Sequence, residues 1–299
     1  MFKSGFITII GEPNVGKSTF LNRVLGQKVA IVSDKPQTTR DLITGILTRE
    51  HAQYIFIDTP GIHHAQTRLG EYMSSAALST VRTVDLVLFM INAYDDVKES
   101  NLAILEQIKT TKTPVFLIVN KLDTIKDIKR LKENLEVYKA AFPFKATFAI
   151  SALVGTNVDH LLDDIYEMLE EGPMFYMDGE LSDKPETFLI RELIREKILT
   201  LTRDEIPHSV MIYLEKMHWV KSSKTMQIFA QVIVERDSQK SIIIGKQGSM
   251  LKQIGTLARA DIEALLGSKV YLELFCKVEP DWRNREFYLK SYGYKPEQE

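Results

Sequence analysis

At 299 residues, 44% of them apolar, and with a formal charge of −2, the chain can fill two hydrophobic cores and is neither a disordered polyion nor a fibrous repeat. One cysteine, Cys276, excludes an intrachain disulfide framework and suits a reducing compartment, and the lack of any apolar run of about 18 residues excludes a membrane-spanning helix. The first predicted strand begins almost at once, so the expectation is a cytoplasmic protein without a secretory leader.

The apolar run Phe6-Ile7-Thr8-Ile9-Ile10 leads into Gly11-Glu12-Pro13-Asn14-Val15-Gly16-Lys17-Ser18, and helical sequence follows from Thr19 to a stop at Gly26. Strand, glycine loop and helix are the context in which G-x-x-x-x-G-K-S binds phosphate. Gly11 and Gly16 accept backbone conformations that a Cβ would obstruct, so successive N–H groups can curl around a polyphosphate at the positive end of the helix. Lys17 is placed to reach the β and γ phosphates and Ser18 to give its hydroxyl to Mg²⁺. Pro13, Asn14, Val15 and Thr19 complete the candidate nucleotide-binding segment.

Residues 33–40 are polar and aperiodic and read as a surface loop, with Arg40 an ordinary loop charge. Predicted strands follow at 42–48 and 53–58, the second ending in Asp58-Thr59-Pro60-Gly61. A carboxylate at a strand tip beside a phosphate loop suits a metal-linked acid, so Asp58 is expected to hold Mg²⁺ through water. Gly61 would bring its N–H to a γ-phosphate, and residues 62–67 become a candidate moving loop. Taken alone, Asp-Thr-Pro-Gly is equally a β-turn.

The nearly unbroken apolar runs 85–91 and 115–119 suit parallel strands buried on both faces, and helical periodicity lies between and after them. A last strand, 147–150, ends in Ser151-Ala152-Leu153, and a helix over 158–169 closes the unit. Alternation on this scale predicts a doubly wound α/β domain with its site at the carboxyl ends of the strands. At one such end stands Asn120-Lys121-Leu122-Asp123. Guanine presents an N1–H and an N2–H₂ side by side, and one carboxylate accepts from both, so Asp123 can select the base. Asn120 would brace the loop, Lys121 would lay its stem along the ring, and Ser151 and Ala152 would close the pocket.

With those residues in order, 1 to about 170 resemble the translation-factor-related GTPases, whose five nucleotide motifs match Gly11 to Ser18, Thr38-Thr39-Arg40, Asp58 to Gly61, Asn120 to Asp123 and Ser151-Ala152. The resemblance implies GTP hydrolysis in which Lys17, Thr39 and Gly61 are the catalytic positions. It also implies that a threonine of the second motif binds Mg²⁺ with GTP; Thr39 fits best and Thr38 stays open. Ile62 stands where relatives place a water-orienting glutamine, which implies slow intrinsic turnover. An asparagine in the phosphate loop of related GTPases helps hold an activating K⁺, and Asn14 is the candidate here.

Residues 172–184 are aperiodic and rich in turn formers and read as a linker. Beyond them the pattern runs helix, strand, strand, helix, helix, strand, with Ile244-Gly245-Lys246-Gln247-Gly248 between the last two helices. That loop matches a KH module, whose G-x-x-G clamps the backbone of about four unpaired nucleotides. Arg236, Lys240, Lys246 and Lys252 form a basic stretch, continued by Arg259, that would meet the phosphates. The candidate RNA contacts are therefore Arg236, Lys240, Ile244, Gly245, Lys246, Gln247, Gly248 and Lys252.

From about residue 5 to 294 the whole chain resembles the bacterial GTPases that carry a C-terminal KH domain. This implies a P-loop GTPase domain over 1–171, a linker over 172–184 and an α+β type II KH domain over 185–299. It further implies binding to the 3′ end of small-subunit ribosomal RNA during 30S assembly, a monomer, and peripheral contact with the inner face of the cell membrane. A phosphotransferase with the same phosphate loop, or a scaffold whose second domain only packs, are the competing readings. Asp123 speaks against the first and Gly245 and Gly248 against the second.

Overall fold

The computed structural model describes residues 1–63 and 65–294, so His64 and the last five residues of the expected KH domain lie outside the described residues. It divides into two compact units. The first comprises Met1–Val32, Thr39–Gln66 and Gly70–Asp183; the second takes Ser33–Thr38, Thr67–Leu69 and the chain from Lys184 onward.

In the first unit β1 (Lys3–Ile10), α1 (Lys17–Leu25), β2 (Ile43–Arg49), β3 (Ala52–Asp58), α2 (Arg68–Thr80), β4 (Leu86–Asn92), α3 (Glu99–Ile108), β5 (Val115–Asn120), α4 (Ile128–Ala141), β6 (Ala146–Ala149), α5 (Val158–Met168) and the two-residue β7 (Glu170–Glu171) follow in order. The strands lie in the order β2-β3-β1-β4-β5-β6, all parallel except β2, with β7 pairing antiparallel to the start of β1. β4 and β5 are buried along their whole length, as unbroken apolar strands between two helical layers must be. Strand order reverses at β1, where β3 lies on one side and β4 on the other, and that reversal opens a crevice at the carboxyl ends. Each predicted strand of this unit is present, with bounds shifted by one to three residues.

Residues 172–183 are not a loose tether. The buried Gln53 side chain on β3 accepts from the N–H groups of Phe175 (2.8 Å) and Tyr176 (3.0 Å) and donates to the Tyr176 carbonyl (2.9 Å). Ile46 N–H on β2 donates to Leu181 O at 2.9 Å, and Phe175 packs edge-on against Phe6. Sequence composition marks turns but carries no sign of a distant glutamine that satisfies them.

The second unit contains α6 (Glu186–Leu201), the short α7 (Ile206–Ser209), β8 (Met211–Val220), β9 (Thr225–Val234), α8 (Asp237–Ile244), α9 (Ser249–Leu266), β10 (Lys269–Val278) and α10 (Glu286–Ser291). β9 is central, antiparallel to β8 and parallel to β10. Ile194 and Ile198 of α6, Ile243 of α8 and Ile254 and Ile262 of α9 pack on Ile228, Ala230 and Val232 of β9, which gives one three-stranded sheet covered by three helices. The helix-first αββααβ order agrees with expectation. α7 and α10 are additions; in the turn ahead of α10 the buried Trp282 indole donates to Ser209 O at the end of α7, at 2.8 Å.

Candidate functional site

The glycine loop leaves β1 and enters α1 with Gly16 at φ +101°, and a Cβ there would stand 2.2 Å from Asn120 Nδ2. Glycine is therefore required at Gly16 by both conformation and space. Lys17 is 5% exposed, and its ammonium donates to the carbonyls of Glu12 (2.8 Å) and Gly11 (3.2 Å) inside the loop. Burial pushes the Lys17 ammonium down to about 8, although Asp58 and Glu12 act to raise it. At the tip of β3, Asp58 is fully buried, and burial drives its carboxyl up to about 6 against the opposing pull of Lys17, Ser18 and Thr39.

Ser18 Oγ donates to Asp58 Oδ2 at 2.6 Å and lies 2.9 Å from the Thr39 hydroxyl, which itself reaches Asp58 Oδ2 at 3.5 Å. Asp58 Oδ1 is buried with no hydrogen-bond partner among the described residues. Two hydroxyls and a carboxylate with an orphaned oxygen are the hard donor set that Mg²⁺ prefers, so the residues fit that ion. Ser18, Thr39 and Asp58 would hold it, and when bound it neutralises polyphosphate charge. The Thr38 hydroxyl instead donates to Lys35 O at 2.6 Å, so of the two adjacent threonines it is Thr39 that joins the cluster.

Residues 33–37 are exposed or half-buried, as a surface loop should be, but Thr38, Thr39 and Arg40 are all buried, which corrects the expectation for the end of the loop and of Arg40 as an exposed charge. Polar composition suggested solvent, but the threonine hydroxyls find partners inside the protein. Past Asp58, the Ile62 N–H donates to Gly11 O at 3.1 Å, and Gly61 fits against Pro13, where a Cβ would come within 2.6 Å of the backbone. His63 Nδ1 lies 2.9 Å from Gly61 O.

On the base side, Asn120 donates to Val15 O at 2.8 Å and accepts from Ala152 N–H at 2.9 Å, tying the phosphate loop to the Ser151-Ala152 turn. Lys121, held at φ +64°, reaches Asn14 O at 2.6 Å, so its stem runs along the pocket. Asp123 is hydrogen-bonded by the Ser151 hydroxyl, which orients the carboxylate. Thr19 lies in the first turn of α1. Arg23 is an addition: its guanidinium donates to the carbonyls of Ala152 (3.1 Å) and Leu153, bracing the same turn from α1.

In the second unit Gly245 (φ +71°), Gln247 (φ +51°) and Gly248 (φ +78°) shape the loop between α8 and α9. A Cβ on Gly245 would meet Met250 at 2.7 Å, whereas one on Gly248 would point into open space. Packing thus demands the first glycine, and the second leaves room for a backbone to approach. Lys246 and Gln247 are exposed beside them and Ile244 is half-buried. A groove of about 410 Å³ adjoins the loop, walled by Gly248, Leu251, Lys252, Gly255, Thr256 and Arg259 on one side and residues 270–274 of β10 on the other. Arg236 caps the start of α8, at the opposite end of that helix from the loop, and neither it nor Lys240 lines the groove. Of the basic stretch, Lys252 and Arg259 line the groove, and the β10 wall, which carries no motif, faces them.

A family model described as 50S ribosome-binding GTPase matches residues 6–121, and one described as KH domain matches residues 205–283. Among solved structures the chain is similar to a tyrosine-to-alanine variant of Era from Aquifex aeolicus bound to GDP·AlF4⁻, with 38% identity, 99% of this chain and 100% of that one covered, and a TM-score of 0.94. It is similar also to Era in complex with MgGDPNP and nucleotides 1506–1542 of 16S ribosomal RNA, with 38% identity, the same coverage and a TM-score of 0.95.

Proposed function

This chain belongs to the Era family of GTPases with a C-terminal KH domain, and from that premise we propose that its GTP cycle switches its hold on the 3′ end of small-subunit ribosomal RNA. It is a Mg²⁺-dependent GTPase and it binds ribosomal RNA. The observation that carries the reading is Asn120, whose amide joins the phosphate loop to the turn beside Asp123, so that triphosphate cradle and purine selector belong to one pocket. GTP with Mg²⁺ orders residues 33–40 and 62–67, and hydrolysis releases them and weakens the RNA grip. The partner is the 30S subunit during assembly, supported by the 16S fragment held by a relative at 38% identity.

The test measures affinity for a 3′-terminal 16S oligonucleotide with GDP and with a non-hydrolysable GTP analogue. Tighter binding with the analogue is expected; equal binding in both states would sink the switch.

The finer assignments rest on family resemblance and local geometry. Asn14, at φ +62° with its carbonyl held by Lys121, takes part in binding an activating K⁺, so replacing K⁺ by Na⁺ slows turnover. Thr39 rather than Thr38 serves the metal. The protein acts as a cytoplasmic monomer with peripheral contact at the inner face of the cell membrane. No helix among the described residues is long and apolar enough to cross a membrane, so that contact would be made from the surface and read by sedimentation with anionic vesicles.

A further inference from the structure

The second residue of the phosphate loop is an acid. Glu12 stands directly after Gly11, its side chain is 14% exposed, and its main-chain carbonyl holds the Lys17 ammonium at 2.8 Å. A carboxylate so placed repels the polyphosphate that the loop is built to hold, since like charges in a partly desolvated cleft are weakly screened. The structure contains a counterweight. Lys98, the residue before α3, donates to Glu12 Oε2 at 3.0 Å, and the Ser100 hydroxyl in the first turn of α3 donates to the other carboxylate oxygen. Lys98 is fixed from behind by Asp95 at 2.7 Å, and the Asn92 amide at the end of β4 holds that same Asp95 oxygen at 3.0 Å. Burial acts to lower the Lys98 pKa, but the bonds it donates to the Asp95 and Glu12 carboxylates prevail and raise it, so Lys98 stays a cation. The amino end of α3 adds its own favourable field for an anion.

We propose that Lys98 is a positioning residue for nucleotide binding: it draws the Glu12 carboxylate toward the start of α3 and cancels its charge, so that a phosphate loop carrying an acid still accepts a polyphosphate. The inference rests on reading Gly11 to Ser18 as that loop. Lys98 touches no reacting atom; it acts through Glu12.

The test is the dissociation constant of GTP and of GDP for wild type, Lys98→Met, Glu12→Gln and the double variant, at low and high salt. Lys98→Met is expected to weaken both nucleotides about tenfold, as the loss of one partner of a partly desolvated pair does, with the deficit shrinking as salt rises. In the Glu12→Gln background, adding Lys98→Met should change affinity less than about twofold, because no charge remains to be cancelled. A purely structural role for Lys98 would leave the double variant as impaired as Lys98→Met. That result, or Lys98→Met binding within twofold of wild type, overturns the proposal. Wild-type protein that binds no guanine nucleotide overturns the phosphate-loop reading itself.

Discussion

Asp123 and Cys276 show how far a single side chain can be interpreted. The Asp123 carboxylate is oriented by Ser151, so Asp123→Asn keeps the shape of the pocket while exchanging an acceptor pair for a donor and an acceptor. Xanthine carries an oxygen where guanine carries its N2 donor; the variant should therefore prefer xanthosine triphosphate over GTP in competition binding, and an unchanged GTP preference would remove Asp123 from its role. Cys276 lies on the core-facing side of β10, and burial pushes its thiol up to about 11 although Lys240 acts to lower it. The native state keeps that proton at pH values where an unfolded thiol has lost it, so this group's contribution to stability is complete below about pH 9 and declines above it. Labelling by a thiol reagent should be slow in native protein at neutral pH and fast in denaturant; equal rates would mean the strand face is open. The base-selecting carboxylate and the apolar run around Cys276 were legible in sequence because each is local; the hydroxyl that orients Asp123, 28 residues on, needed the structure.

The loop between α8 and α9 separates two reasons for glycine that a G-x-x-G pattern cannot distinguish. Gly245→Ala places a methyl against Met250 in a left-handed conformation and should destabilise the second unit by about 1–3 kcal/mol, visible as a lower melting temperature. Gly248→Asp meets no neighbour within 4 Å and costs only the strain of a side chain at φ +78°, so beyond a small loss of stability it should weaken RNA binding, through added bulk and negative charge where the phosphate chain approaches. RNA affinity retained in Gly248→Asp would exclude the loop as the clamp. The element order and the loop itself were legible because strand and helix periods differ and the glycines are contiguous. The groove was not. Its β10 wall, residues 270–274, reads in sequence as an ordinary strand, and the basic stretch that ends at Arg259 gives no sign of which strand stands opposite it.

Across the whole molecule, what could be read in advance were the five nucleotide segments, each local in sequence and all but Thr38-Thr39-Arg40 at a predicted strand end. What could not were pairings over long separations: Glu12 with Lys98, Arg23 with the turn after Ser151, and Gln53 with residues 175 and 176. No periodicity encodes which amide will satisfy a distant backbone. The last of these pairings decides where the catalytic half ends. A chain cut after Leu169 would strip the Gln53 amide of three of its four hydrogen bonds and open it to water, at a net cost of about 0.5–1.5 kcal/mol for each bond lost. Truncation after Asp183 should instead give a soluble fragment with a higher melting temperature than the shorter one. Anyone excising this module must therefore carry its hem along with the cloth, because the stitches that close the first sheet are sewn with thread that composition alone had assigned to the gap.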